Sequence, residues 1–141
     1  MVSALEVKMN ETPVCIFKSA SELERAIVQK EIDLLNRIEN SSPLLLSSNF
    51  GEKSFSLIQL CVSVDFSQTE AIIHLLVRLN RSLRLSKKSV DDLTLLDMLI
   101  ERGNLQLMKV IINTQEYGKL KRGDKKKVDY FVKQNFSFDL I

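Results

Sequence analysis

Residues 94–112 read TLLDMLIERGNLQLMKVII, two short apolar segments on either side of Gly103-Asn104. Leu95, Leu96, Leu99 and Ile100 recur at helical spacing and share one face, which leaves Asp97 and Glu101 for water. Gly103 stands where a helix must stop, because the left-handed conformation that commonly closes a helix costs a glycine little. Asn104 suits the turn or the N-cap of the next helix, and Leu105, Met108, Ile111 and Ile112 form a second apolar face. A tight turn between two such segments makes an antiparallel pair. Helices shorter than roughly 12 to 15 residues are marginal alone in water, so the pair requires neighbours to cover it.

Weaker copies of this unit lie on both sides. Upstream, Ser19-Ala-Ser-Glu22 and Ser21-Glu-Leu-Glu24 both have capping-box spacing and predict a helix beginning near Glu22. Its stripe is Leu23, Ala26 and Ile27; Lys30-Glu31 takes the place of the glycine turn, and Ile32, Leu34, Leu35 and Ile38 continue as a second helix. The turn-rich stretches 40–43 and 47–51 bracket Leu44-Leu45-Leu46, read as a tucked loop or short extended piece. Ser56 to Val62 is then a first helix and Ala71, Ile72, Leu75, Leu76 and Leu79 the face of a second, after a long turn over 64–68. Downstream, the chain breaks at Tyr117-Gly118. Asp124 is the expected N-cap of a last helix with Val128, Phe131 and Val132 on its apolar side.

The order Thr94, Leu96, Gly103, Leu105, Lys109 resembles the ankyrin repeat, and Ser56-Leu-Ile-Gln-Leu-Cys-Val62 lies over that family's Thr-Pro-Leu-His-Leu-Ala-Ala. Leu95 stands where the family has proline, Asp97 and Gln59 where it has histidine, and Leu99-Ile100 where it has two alanines. Ser56 and Thr94 are 38 positions apart against a family period of about 33, the difference falling in loops. The resemblance implies an all-α, helix-turn-helix solenoid in a single domain. It divides the chain into an N-terminal arm (1–20) and a repeat domain (21–141), with units near 21–43, 51–80 and 91–114 and a C-terminal cap over 115–141.

Composition agrees with helices. Hydrophobic residues make up 45% of the 141, with four glycines, two prolines and no tryptophan, too few turn-formers for a strand-rich fold. A formal charge of +2, from 20 basic and 18 acidic residues, singles out neither nucleic acid nor membrane, so such a signal has to be local. No apolar run approaches the roughly 20 residues a bilayer requires. Two cysteines, Cys15 and Cys61, form no disulfide framework, and the N-terminus lacks secretory character; the expected setting is intracellular, cytoplasmic or nuclear.

Chemistry-bearing patterns are nearly absent. His74 sits in an apolar helix without metal partners in sequence, Cys61 occupies a small-residue slot in a predicted core, and there is neither a glycine-rich phosphate loop nor a nucleophile elbow. The expectation is therefore a non-enzyme that needs no cofactor or metal. What the resemblance implies is an adaptor or inhibitor that binds another protein through its concave face and exposed turns. The turn residues Asn49, Glu52, Lys53, Lys87, Lys88 and Asp91 would make contact, joined by Gln59 and Asp97 as exposed first-helix positions.

Two alternatives stand beside it. The basic segments 81–88 and 119–127, the latter with Lys119, Lys121, Arg122, Lys125, Lys126 and Lys127, suit a phosphate backbone or a nuclear-import signal. The apolar tail of Phe136, Phe138, Leu140 and Ile141 suits a subunit of an oligomer or larger complex.

Overall fold

In the computed structural model, residues 16–139 are described, with side chains through Asn135. The expectations for most of the N-terminal arm, Cys15 included, for the side chains of Phe136 and Phe138, and for Leu140 and Ile141 lie outside the described residues. The protein is all-α. Among the described residues, the extended pairing is a single antiparallel bridge between Phe50 and Phe55.

The helices run α1 (Ala20–Val28), α2 (Leu34–Glu39), α3 (Pro43–Leu46), α4 (Leu57–Ser63), α5 (Thr69–Arg78), α6 (Leu95–Glu101), α7 (Leu105–Ile112), α8 (Gln115–Gly118) and α9 (Arg122–Asp139). Polar side chains start most of them. Ser19, Ser42 and Asn104 each accept the amide hydrogen bond that opens a helix. Ser56 with Gln59, and Thr94 with Asp97, form complete capping boxes, satisfying two otherwise orphaned donors at each site.

The helix ends are equally regular. Lys30, Asp65, Asn80 and Gly103 all take a left-handed conformation, with φ of 56°, 53°, 57° and 65°. At each, the next amide reaches back to the carbonyl five residues earlier: Glu31 to Ala26, Phe66 to Cys61, Arg81 to Leu76 and Asn104 to Leu99. This is the Schellman closure, repeated four times and only once on a glycine.

The helices pack in a regular order. α1 meets α4, α4 meets α6 and α6 meets α9, while α2 meets α5 and α5 meets α7. Polar contacts between distant segments repeat nearly the same offset: Gln68 to the Ile32 carbonyl (36 residues), Arg78 to Glu39 (39), Arg102 to Asp65 (37) and Gln106 to Glu70 (36). One continuous apolar cluster underlies these contacts. It includes Leu23 and Ile27 of α1, Ile58 and Cys61 of α4, Ile72 and Leu76 of α5, Leu95 and Leu99 of α6, Met108 and Ile111 of α7, and Val128 and Phe131 of α9. At the N-terminal end Arg37 stacks 3.8 Å over the Phe17 ring and pairs with Glu22 (3.1 Å) and Glu31 (3.2 Å), tying α1 to α2.

Four local expectations are corrected. Ile32 is 81% exposed and lies in the turn before α2, because the left-handed Lys30 has already reversed the chain. Leu44 to Leu46 belong to a helical turn with Ser42 as N-cap and Pro43 at its first position, where proline's fixed φ and missing N–H cost nothing; Leu46 alone of the three is buried. Tyr117-Gly118 closes α8, and Tyr117 is buried rather than in a break. Asp124 is not an N-cap: α9 begins at Arg122, with the Lys121 carbonyl accepting from Asp124 and Lys125, so Asp124 sits inside the first turn.

Candidate functional site

The connectors before α4 and α6 lie side by side. The first folds back at Gly51 (φ 71°) and Ser54 (φ 57°), closed by reciprocal Phe50–Phe55 backbone hydrogen bonds of 2.7 and 2.9 Å, with the Phe50 ring buried beneath as an anchor. The second, over 84–93, is fastened to it. The Val90 amide donates to the Lys53 carbonyl (2.8 Å), Lys53 pairs with Asp91 (3.0 Å), and the Lys87 ammonium donates to the Ser54 carbonyl. Arg84 closes the other end through the carbonyls of Ser47 (2.7 Å) and Ser48 (3.1 Å) and the Asn49 side chain (3.2 Å).

Asn49, Glu52, Lys53, Lys88 and Asp91 are all exposed on this edge, with Val90 standing out at 66%. Lys87 is only half-exposed; burial, and then the neighbouring Arg84 charge, hold it below the ordinary lysine value. Behind the edge are two shallow grooves. Phe55, Leu93, Met98, Glu101 and Arg102 line one of about 150 Å³ between α4 and α6, and Ile100, Tyr130, Phe131 and Gln134 line one of about 280 Å³ between α6 and α9.

Gln59 is not exposed; it is completely buried. Its oxygen accepts from the Ser56 amide (2.8 Å), and its amide nitrogen donates to the carbonyls of Leu93 (2.9 Å) and Lys87 (3.5 Å). Gln59 therefore holds the second connector from below rather than meeting a partner. Asp97 is only partly open to water, and it accepts from the Thr94 amide (3.1 Å) and from Lys127 (3.0 Å). Burial pushes its carboxyl up, but the Thr94 amide and Lys127 outweigh burial, and its value falls below the ordinary 3.8. Lys127 is raised in turn, chiefly by this hydrogen bond.

A folded-state value below the unfolded one contributes stability above the unfolded value and loses it as pH falls through the folded one. Asp97→Ala should then cost about 1 kcal/mol at pH 7, from the lost cap and a partly exposed ion pair. The ion-pair share should disappear from about pH 4 downward, so urea midpoints of the two chains should lie closer at pH 3 than at pH 7.

The basic segments separate by role. Within 81–88, Arg84 and Lys87 are spent on backbone carbonyls and Lys88 on Asp92 (3.5 Å), which leaves Arg81. Within 119–127, Lys127 pairs with Asp97 and Lys125 donates to the Gly118 carbonyl (2.7 Å), while the side chains of Lys119, Lys121, Arg122 and Lys126 are exposed. Sequence reasoning missed Glu116, whose two carboxylate oxygens accept from the amides of Leu83 (2.7 Å) and Leu85 (3.0 Å) and fasten that connector onto α8. No local signal marks it, because its partners are more than thirty residues away.

His74 is exposed on α5, 3.7 Å from Glu70. Cys61 is buried, and burial pushes its thiol up to about 12, so it stays protonated at neutral pH. Among the described residues no group of three or more His, Cys, Asp or Glu could hold a metal ion, and no helix is long and apolar enough to cross a membrane. Compared with family models, with curated proteins and with solved structures, the chain matches none.

Proposed function

We propose that this chain is a protein-interaction module, an adaptor or inhibitor rather than an enzyme, built as a short, divergent ankyrin-like solenoid. The observation that carries this is the pair of connectors fixed edge to edge before α4 and α6, held by backbone hydrogen bonds, the Gln59 amide and the Lys53–Asp91 ion pair, with their tips exposed. Ordering costs of roughly 0.5–1.5 kcal/mol per side chain are what weaken binding by loose loops, and a tethered edge has met much of that cost in advance. The ankyrin-like reading is supported by polar contacts recurring at offsets of 36 to 39 residues and by the four identical helix closures. Ser56 with Gln59 and Thr94 with Asp97 stand where the family's turn tetrapeptide would be and cap in its stead.

On this reading the partner touches Asn49, Glu52, Lys53, Lys88, Val90 and Asp91, with the grooves of Met98 and Ile100 behind them. The test is capture from a nuclease-treated lysate by the intact chain, followed by measured affinity for the captured protein. Val90→Asp combined with Asp91→Lys should weaken that affinity at least tenfold, and Leu44→Asp, at an 84% exposed position on α3, should leave it unchanged. Equal affinity for all three chains would sink the assignment.

A further inference from the structure

The C-terminal quarter concentrates exposed cations that the fold leaves unengaged. Between 115 and 133 the chain carries seven basic and three acidic residues, a local +4 in a protein whose total is +2, so the remainder is slightly acidic. Of the three acids, Glu116 has given both oxygens to backbone amides, Asp124 is half-buried, and Asp129 alone is exposed. Among the described residues, the side chains of Lys119, Lys121, Arg122 and Lys126 meet neither an ion-pair nor a hydrogen-bond partner, and neither does that of Arg81. Packing then adds what sequence could not: Arg81 and Lys119 line one depression of about 330 Å³, together with Ser82, Thr114 and the Glu116 carboxylate that accepts from the Leu83 and Leu85 amides.

On α9, Arg122 and Lys126 are one helical turn apart, about 6 Å along the axis, on the side opposite the buried Val128 and Phe131. Tyr130 continues that side, 66% exposed.

We propose that this surface, Arg81 with Lys119, Lys121, Arg122 and Lys126, binds the phosphate backbone of a single-stranded nucleic acid, with Tyr130 as a stacking platform. Complementarity of charge calls for an anionic partner. An acidic protein segment would also need an apolar anchor, because a few desolvated aromatic or aliphatic contacts carry most protein–protein affinity. The apolar groove at Tyr130 lies at one end of the patch, and none of the five cations lines it. A polyphosphate chain asks only for spaced cations and gains from counterion release, and an exposed ring beside them suits an unpaired base. The five cations are not among the residues of the connector edge, whereas Tyr130 also lines the Ile100 groove, so it is the charge reversals, and not Tyr130→Ala, that separate the two proposals.

The probe is a fluorescein-labelled, mixed-sequence 20-nucleotide single-stranded DNA, followed by anisotropy with the full chain from 50 to 300 mM KCl. Five phosphate contacts predict a slope of log affinity against log salt of about −3 to −4. Lys119→Glu, Arg122→Glu and Lys126→Glu together should weaken binding at least tenfold and flatten the slope by about 2. The same charge change at Lys18, Arg25 and Lys30 should stay within about threefold of the parent. Tyr130→Ala should lower affinity about fivefold or more with the slope unchanged. Single Lys121→Glu and Lys126→Glu chains serve if a triple variant fails to fold, each expected to weaken binding about threefold or more. Absence of binding at 50 mM KCl overturns the proposal, as does an equal loss in the two triple variants. Displacement of the DNA by polyglutamate at matched charge also overturns it, in favour of an acidic protein partner.

Discussion

Leu99→Asp should abolish cooperative unfolding, leaving a chain without a thermal or urea transition at pH 7, whereas Glu101→Ala, two residues along the same helix, should stay within about 0.5 kcal/mol of the parent. Leu99 is fully buried in α6, the helix that packs against α4, α7 and α9 at once. Removing the leucine side chain alone costs roughly 2–5 kcal/mol, from lost burial and the cavity left behind. Aspartate adds a carboxyl that must either stay charged without a partner or take up a proton, at several kcal/mol more. The sum reaches the roughly 5–15 kcal/mol that a domain has in total. Glu101 points to water at the mouth of a groove and has no such neighbours. Circular dichroism at 222 nm during a melt reads both. A retained transition in Leu99→Asp would mean that the apolar face of 95–100 is turned the other way.

That face was legible because every signal for it is local. Leu95 and Leu99 one turn apart, Gly103 at the stop and Asn104 at the next start are decided within five residues, and Lys30-Glu31 was readable as a turn from its place in the pattern. The short helix of Pro43–Leu46 was also within reach: Ser42-Pro43 is a start signal, though the turn-forming residues around it point the other way. Burial of polar side chains was not legible. Glutamine and aspartate at exposed-looking helix positions read as contact residues, and what turns Gln59 inward and half-buries Asp97 are carbonyls 28 and 34 residues distant and an ammonium 30 residues distant. Ser56-x-x-Gln59 did carry the capping-box spacing, which would have turned Gln59 inward on local grounds. The separation of Arg84 from Arg81 depended on tertiary partners, since nothing near Arg84 in sequence distinguishes the two.

Gln59→Leu keeps nearly the same volume and tests whether that buried amide orders the connector edge. The Ser56 amide loses its acceptor, the Lys87 carbonyl loses the amide that donates to it, and the Leu93 carbonyl retains only the Ser89 amide (2.8 Å). An unsatisfied buried donor or acceptor costs about 1–3 kcal/mol, so the substitution should destabilise the chain by about 2–4 kcal/mol in urea unfolding. Ser56→Ala removes the other half of the same box and should cost about 1 kcal/mol. The two variants differ in where the loss is felt. Only Gln59 reaches across to the 84–93 connector, so amide exchange of Ser89 and Val90 should accelerate in Gln59→Leu and stay near the parent in Ser56→Ala. Because Val90 donates to Lys53, release of one connector also frees the other. A partner bound at this edge would then have to order it on arrival, and affinity should fall in Gln59→Leu although the substituted residue touches nothing outside the protein. Equal exchange rates at Ser89 and Val90 in both variants would show that the connectors are held by their own backbone bonds, with Gln59 contributing only to the start of α4.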